Sequence, residues 1–145
     1  MTYADNKKAR FDYEILDEVE AGIVLKGYEV AAIKKKMVSL KGSYAYFHLG
    51  EMFLLNMHVS PYQIKNMPKN YEPTQTRKLL LKKKELSKIY SKTKEMNLTI
   101  IPLKVYSKND IIKVSLGLGK GKKKYDKRET IKKRDFERKI LKNLK

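Results

Sequence analysis

Apolar and polar positions alternate through much of the chain. Phe11, Tyr13 and Ile15 are interleaved with Asp12 and Glu14, and Ile23-Val24-Leu25 resumes the strand character after Ala21-Gly22. Gly22 in mid-pattern predicts a bulge or sharp bend. Tyr44, Tyr46 and His48 form a period-two set, and the tight turn Gly50-Glu51 leads into Met52-Phe53-Leu54-Leu55, a hairpin pattern. Residues 97–105 and 111–118 are two further strand-like runs joined by Ser107-Lys108-Asn109-Asp110. Pro102, inside the first, predicts an edge or a bulge. Helical spacing is predicted over 27–36 and over 76–94. The second has Pro73 before it, Thr74 or Thr76 as a cap, and Leu79, Leu86, Ile89 and Tyr90 on one side. Residues 58–73, with three prolines, read as a loop. Five or six short strands with two inserted helices predict a small, mainly antiparallel β-barrel of the OB type, a fold that commonly binds nucleic acid.

Charge changes this picture more than anything else. The 145 residues carry 34 Lys and Arg against 16 Asp and Glu, a formal +18. Such an excess repels itself in a compact state, and a polyanion that releases its own counterions relieves it. Nucleic acid is the first candidate and an anionic membrane surface the second. Residues 120–145 hold 13 basic and 4 acidic side chains, half of the excess. The expected division is a folded body over 1–119 and a basic tail over 120–145, with Gly117, Gly119 and Gly121 as a flexible strand exit. In the tail, Phe136, Ile140 and Leu144 recur at helical spacing. The segment is expected to be disordered when free and to order on binding, with a helix docked on the barrel through that stripe as the alternative.

Candidate chemistry is sparse. Lys122 is followed by Lys123 where a phosphate-binding loop needs Ser or Thr. His48 and His58 lack a third ligand, cysteine is absent, and Asp17, Glu18 and Glu20 are neighbours on one strand. No catalytic residue, metal site or cofactor is expected, and the chain is not read as an enzyme. With no export segment or apolar span in this sequence, a soluble cytoplasmic monomer is expected. Ten Tyr and four Phe among the lysines offer stacking faces. Tyr125 stands out in the basic segment, while half or more of Tyr13, Tyr44, Tyr46 and Phe53 are expected in the core. Glu20 and Glu29 are candidates either to accept from a base or a 2′-OH, or to orient a neighbouring cation or cap a helix.

Six blocks occur in order: Asn6-Lys7-Lys8-Ala9-Arg10, Glu20-Ala21-Gly22-Ile23, Gly27-Tyr28-Glu29-Val30, Pro73-Thr74-Gln75-Thr76-Arg77-Lys78-Leu79-Leu80-Leu81, Pro102-Leu103, and Gly121-Lys122-Lys123-Lys124-Tyr125-Asp126-Lys127-Arg128-Glu129. Together they resemble the SmpB (SsrA-binding protein) family of bacteria. The resemblance implies an OB-like barrel with peripheral helices that binds the tRNA-like domain of tmRNA. It further implies a stalled-ribosome partner, whose decoding centre and mRNA channel receive the tail as a helix. RNA-binding positions implied by it are Asn6, Lys7, Lys8, Arg10, Glu20, Arg77, Lys78, Leu80 and Tyr125, with Leu80 expected to pack the helix that presents Arg77 and Lys78. Asp126, Lys127, Arg128, Lys132, Lys133 and Arg134 are implied in tagging on the ribosome. Gln75 and Gly119 depart from common family residues, an arginine and an alanine.

Overall fold

The computed structural model describes residues 1–63, 65, 67–121 and 133–140. In chain order these form β1 (Thr2–Asp5), α1 (Lys7–Asp12), β2 (Tyr13–Ile23), α2 (Gly27–Lys34), β3 (Val38–Ser39), β4 (Tyr44–His48), β5 (Glu51–Leu55), β6 (His58–Val59), β7 (Arg77–Leu80), α3 (Lys83–Met96), β8 (Thr99–Lys108) and β9 (Ile111–Gly121). A further helical stretch covers 133–140. Strands pair antiparallel in the order β8-β4-β5-β7-β2-β9, and the β8–β9 pairing closes the ring. The expected small antiparallel barrel is thus present. β1 adds to the β8 edge, and β3 with β6 makes a separate ribbon.

The barrel interior is filled by the inward set of each strand, including Met52, Leu54, Leu79, Val105, Val114, Leu116 and Leu118, closed at its ends by Ile33 of α2 and Ile89 of α3. Closure removes the free edges that a flat sheet of these strands would expose. A second cluster lies outside the ring. Ala9, Tyr44, Leu55, Ile101, Leu103 and Phe136 form it, with Tyr13, Ile15, Tyr46 and Phe53 half-buried around them. Phe136 is 0% exposed, with ring centroids of Tyr46, His48 and Phe53 at 4.9, 5.1 and 5.7 Å. In this structure the 133–140 segment therefore lies docked on the barrel through Phe136 and Ile140, while Leu144 lies outside the described residues.

Both hairpin turns use left-handed backbone. Leu49 and Gly50 (φ 50° and 77°) join β4 to β5, and Asn109 and Asp110 (φ 52° and 63°) join β8 to β9, the handedness that matches strand twist. The first turn lies one residue earlier than the sequence indicated. Pro102 sits beside a register shift between β8 and β9, as expected. The bulge in β2 falls between Ile15 and Asp17 instead of at Gly22. Gly22 answers a different need: a Cβ there would lie 3.2 Å from the Leu80 Cβ.

Three readings of local structure are corrected. Residues 7–12 form a helix, not the start of a strand, because the Asn6 side chain accepts from the Ala9 N–H at 3.2 Å and nucleates the turn. Residues 77–80 form a strand, and the helix begins only at Lys83, without a side-chain cap. Arg77 and Leu79 point in while Lys78 and Leu80 point out, a period of two that four good helix formers disguise. Gly117 and Gly119 are not a flexible exit but buried β9 residues. A Cβ at Gly117 would come within 2.9 Å of the Leu103 side chain, and one at Gly119 within 3.0 Å of the Tyr13 Cβ.

Candidate nucleic-acid interface

Cross-strand register brings distant sequence blocks onto adjoining rows. Asp5 of β1 pairs with Lys104 of β8, Lys104 with Ser115 of β9, and Ser115 with Glu20 of β2. The neighbouring row runs from Tyr106 of β8 through Lys113 of β9 and Gly22 of β2 to Leu80 of β7. Asp5, Glu20 and Leu80 are therefore linked across one stretch of barrel wall, with Asn6 following Asp5 in the chain. Asp5 and Glu20 are three strand spacings apart, roughly 14 Å along the sheet.

Asn6 acts from inside. Besides capping α1, its Nδ2 donates to the Pro102 carbonyl at 2.9 Å and to that of Leu40 at 3.5 Å, fastening the helix start to β8. Lys7 and Lys8 of α1 are exposed and, with Lys41, border a cleft of about 690 Å³ between α1 and the segment leading into β4. Arg10 pairs with Glu18 at 3.4 Å on the surface. Leu80 does not pack a helix: it is 50% exposed on the outer face of β7, beside Gly22.

Glu20 stands on the outer face with a built environment. The Tyr106 hydroxyl donates to its Oε2, and the Lys108 Nζ lies 3.7 Å from the same oxygen. The Tyr106 hydrogen bond, with the nearby charges of Lys108 and Lys113, holds the carboxyl below its ordinary range. Burial and the same bond push the Tyr106 hydroxyl up. The Lys104 ammonium lies 5.3 Å from the Tyr106 ring centroid. Lys104, Tyr106, Lys108 and Lys113 were not singled out from the sequence. Their signal was the alternation of Lys104, Tyr106 and Lys108 with Leu103 and Val105, which marks a cationic, aromatic outer face of one strand.

Arg77 is the clearest correction among the candidate RNA contacts. It is 3% exposed and its five N–H groups are all engaged internally. Nε and Nη2 reach Glu29 Oε2 at 2.7 and 2.6 Å. Nη1 donates to the Met57 and Gln75 carbonyls at 2.6 and 3.2 Å, and Nη2 to that of Pro73 at 2.9 Å. A guanidinium consumed in this way has no donor left for a phosphate. Glu29, 1% exposed, also accepts from Gln75 Nε2 at 3.1 Å and from the Lys26 N–H at 3.1 Å, so it both caps α2 and anchors the loop after β6. Tyr71 joins this centre, and burial followed by the Glu29 charge raises its hydroxyl to about 12. Gln75, where the family commonly has an arginine, belongs to the same network. Lys78, one residue after Arg77, points outward and pairs with Glu51 at 3.2 Å.

Lys133 and Arg134 are exposed at the start of the 133–140 helix. Tyr125, Asp126, Lys127, Arg128 and Lys132 lie outside the described residues. Among the described residues no cluster of His, Asp or Glu is arranged to hold a metal, and no helix is long and apolar enough to cross a membrane.

Comparison with known proteins agrees with this geometry. The family model described as "SmpB protein" matches residues 3–145. An SsrA-binding protein of Mycoplasma mycoides subsp. mycoides SC is 54% identical over 140 residues, covering 97% of this chain and 95% of the relative. One from Enterococcus faecalis is 49% identical over 142 residues, covering 98% and 92%. A chain in the solved structure "tmRNA-SmpB: a journey to the center of the bacterial ribosome" superposes with a TM-score of 0.68 at 45% identity, covering 85% of this chain and 86% of that one. With the barrel, the ordered motif blocks and relatives matched over nearly their whole length, the chain belongs to the SmpB family.

Proposed function

We propose that this protein binds tmRNA, the SsrA RNA, through the RNA's tRNA-like domain. It then brings tmRNA to stalled ribosomes and stands in for the missing codon–anticodon pairing in rescue and tagging. One observation carries the reading: register places Asp5, next to Asn6 in the chain, with Glu20 and Leu80 on adjoining rows of a wall that also presents Lys104, Tyr106, Lys108 and Lys113. Such a wall offers phosphate contacts, a stacking ring and a carboxylate fixed for a base or 2′-OH donor. Relatives named SsrA-binding protein support the choice of RNA. The reading divides the work: the body, with Lys7, Lys8, Arg10 and the wall, holds tmRNA. The segment bearing Asp126, Lys127, Arg128, Lys132, Lys133 and Arg134 acts at the decoding centre and mRNA channel in the cytoplasm. No step of it needs a catalytic group on this chain.

A mobility-shift comparison at physiological salt tests it, with the tRNA-like domain of tmRNA, an acceptor-matched tRNA and an unrelated RNA duplex. Marked preference for the tRNA-like domain is expected. Equal, steeply salt-dependent binding to all three would leave a general polycation and overturn the assignment.

A further inference from the structure

A second concavity is independent of the wall. It is a cleft of about 550 Å³ between α3 and the end of the β4–β5 hairpin, within the ~300–1,000 Å³ range of sites that take small ligands. Phe47, Leu49, Leu86, Tyr90, Thr93 and Ile100 line it, with Lys83 and Lys94 at its border and no carboxylate in its lining.

Four features of this cleft lack an explanation in folding alone. Tyr90 is 48% exposed, its ring held edge-on by Phe47 at 5.2 Å and 90°. The Lys94 ammonium lies 5.7 Å from the same ring. Leu49 is 89% exposed and sits at φ 50°, a left-handed turn position where Asn or Gly is the comfortable residue and where a large apolar side chain gains nothing for the fold. Neither Lys83 nor Lys94 has an ion pair among the described residues.

These requirements converge on one occupant. A flat apolar body fills the space between Tyr90 and Leu49, and an attached anion answers Lys83 and Lys94. We propose that the cleft receives a single unpaired nucleobase of the bound RNA, its phosphate toward Lys83 and Lys94. An acidic peptide would match the two lysines but brings no flat ring to lie against the half-exposed Tyr90. The proposal rests on the RNA-binding reading and adds to it a base-receiving site on the side of the barrel that α3 covers.

The full-length protein, labelled at Leu and Ile methyls, is titrated with single-stranded RNA pentanucleotides of each base and, separately, with an acidic Glu-Leu decapeptide. Saturable shifts at Leu49, Leu86 and Ile100 with at least one pentanucleotide are expected, and Tyr90→Ala should weaken that binding roughly tenfold, the loss of one base–aromatic stack. Leu49→Asn should weaken it too while leaving thermal stability equal or higher, because Asn tolerates the left-handed turn. A merely structural Leu49 would not give these opposite signs. Cleft methyls that stay still with every pentanucleotide, or that move only with the peptide, overturn the proposal. The same preparations are run in the mobility shift with the tRNA-like domain. If the wild type fails there, the function proposed above falls. If it binds while the cleft stays silent, only the base site falls.

Discussion

Glu20 and Glu29 are two carboxylates in a chain of formal +18, and the barrel treats them oppositely. Glu29 is sealed at one end of the ring, where Arg77, Gln75, Tyr71 and the Lys26 N–H converge on it. Glu20 stands on the outer wall, held by Tyr106 and Lys108 with its remaining lone pairs toward solvent. The first is committed to the fold, since a buried charge is tolerable only when fully partnered. The second is oriented but not used up. Its carboxylate is positioned by a tyrosine and a lysine without being enclosed by them. Adjacent cations repeat the lesson: Arg77 faces in and Lys78 faces out from one strand.

The largest expected effect breaks the buried centre. Arg77→Ala should cost about 3–5 kcal/mol in urea unfolding, because it leaves Glu29 charged and unpaired in the interior. A loss under about 1 kcal/mol, the range of surface pairs, would erase the distinction between the two centres. Next, Glu20→Gln should weaken binding of the tRNA-like domain by roughly tenfold, as expected for removal of a charged hydrogen-bond acceptor. Its urea midpoint should stay near that of the wild type. A reversed pattern, stability lost and binding kept, would make Glu20 another structural group.

The buried centre also predicts a pH dependence. Tyr71, whose hydroxyl is raised to about 12, is held protonated in the folded state. The stability this contributes is complete below the unfolded value of about 10, and is lost as pH rises through about 12. Tyr71→Phe should flatten that alkaline decline in a pH series of thermal melts, and an unchanged decline would place its origin elsewhere, Tyr44 and Tyr106 being raised as well. The smallest effect belongs to Lys78→Ala. Its pair with Glu51 is exposed, so stability should change by less than about 1 kcal/mol. The slope of log affinity against log salt should fall by about one if Lys78 meets a phosphate. An unchanged slope would set β7's outer face apart from the RNA.

Much of the barrel was legible because strands that are half-buried must alternate. The β4–β5 and β8–β9 hairpins and the bulge near Pro102 were all readable from period and turn chemistry. β7 was not. Arg77-Lys78-Leu79-Leu80 consists of residues that favour helices, and only pairing with β5 and β2 fixes them as a strand. α1 escaped because six residues are too few to display a helical period, and its stability comes from one Asn6 cap and from packing of Ala9. The role of Arg77 was misassigned for a related reason: a basic block reads as surface until a buried acid is placed beside it.

The two hairpins, the cationic excess and the motif blocks that mark the SmpB family follow from the residues alone, since they depend on local spacing and composition. Which lysines share a wall with Glu20, which arginine is withdrawn from solvent, and where Tyr90, Leu49 and Thr93 enclose a cleft were decided by the closed ring. Closure joins residues far apart in the chain through register, and no local period carries that information.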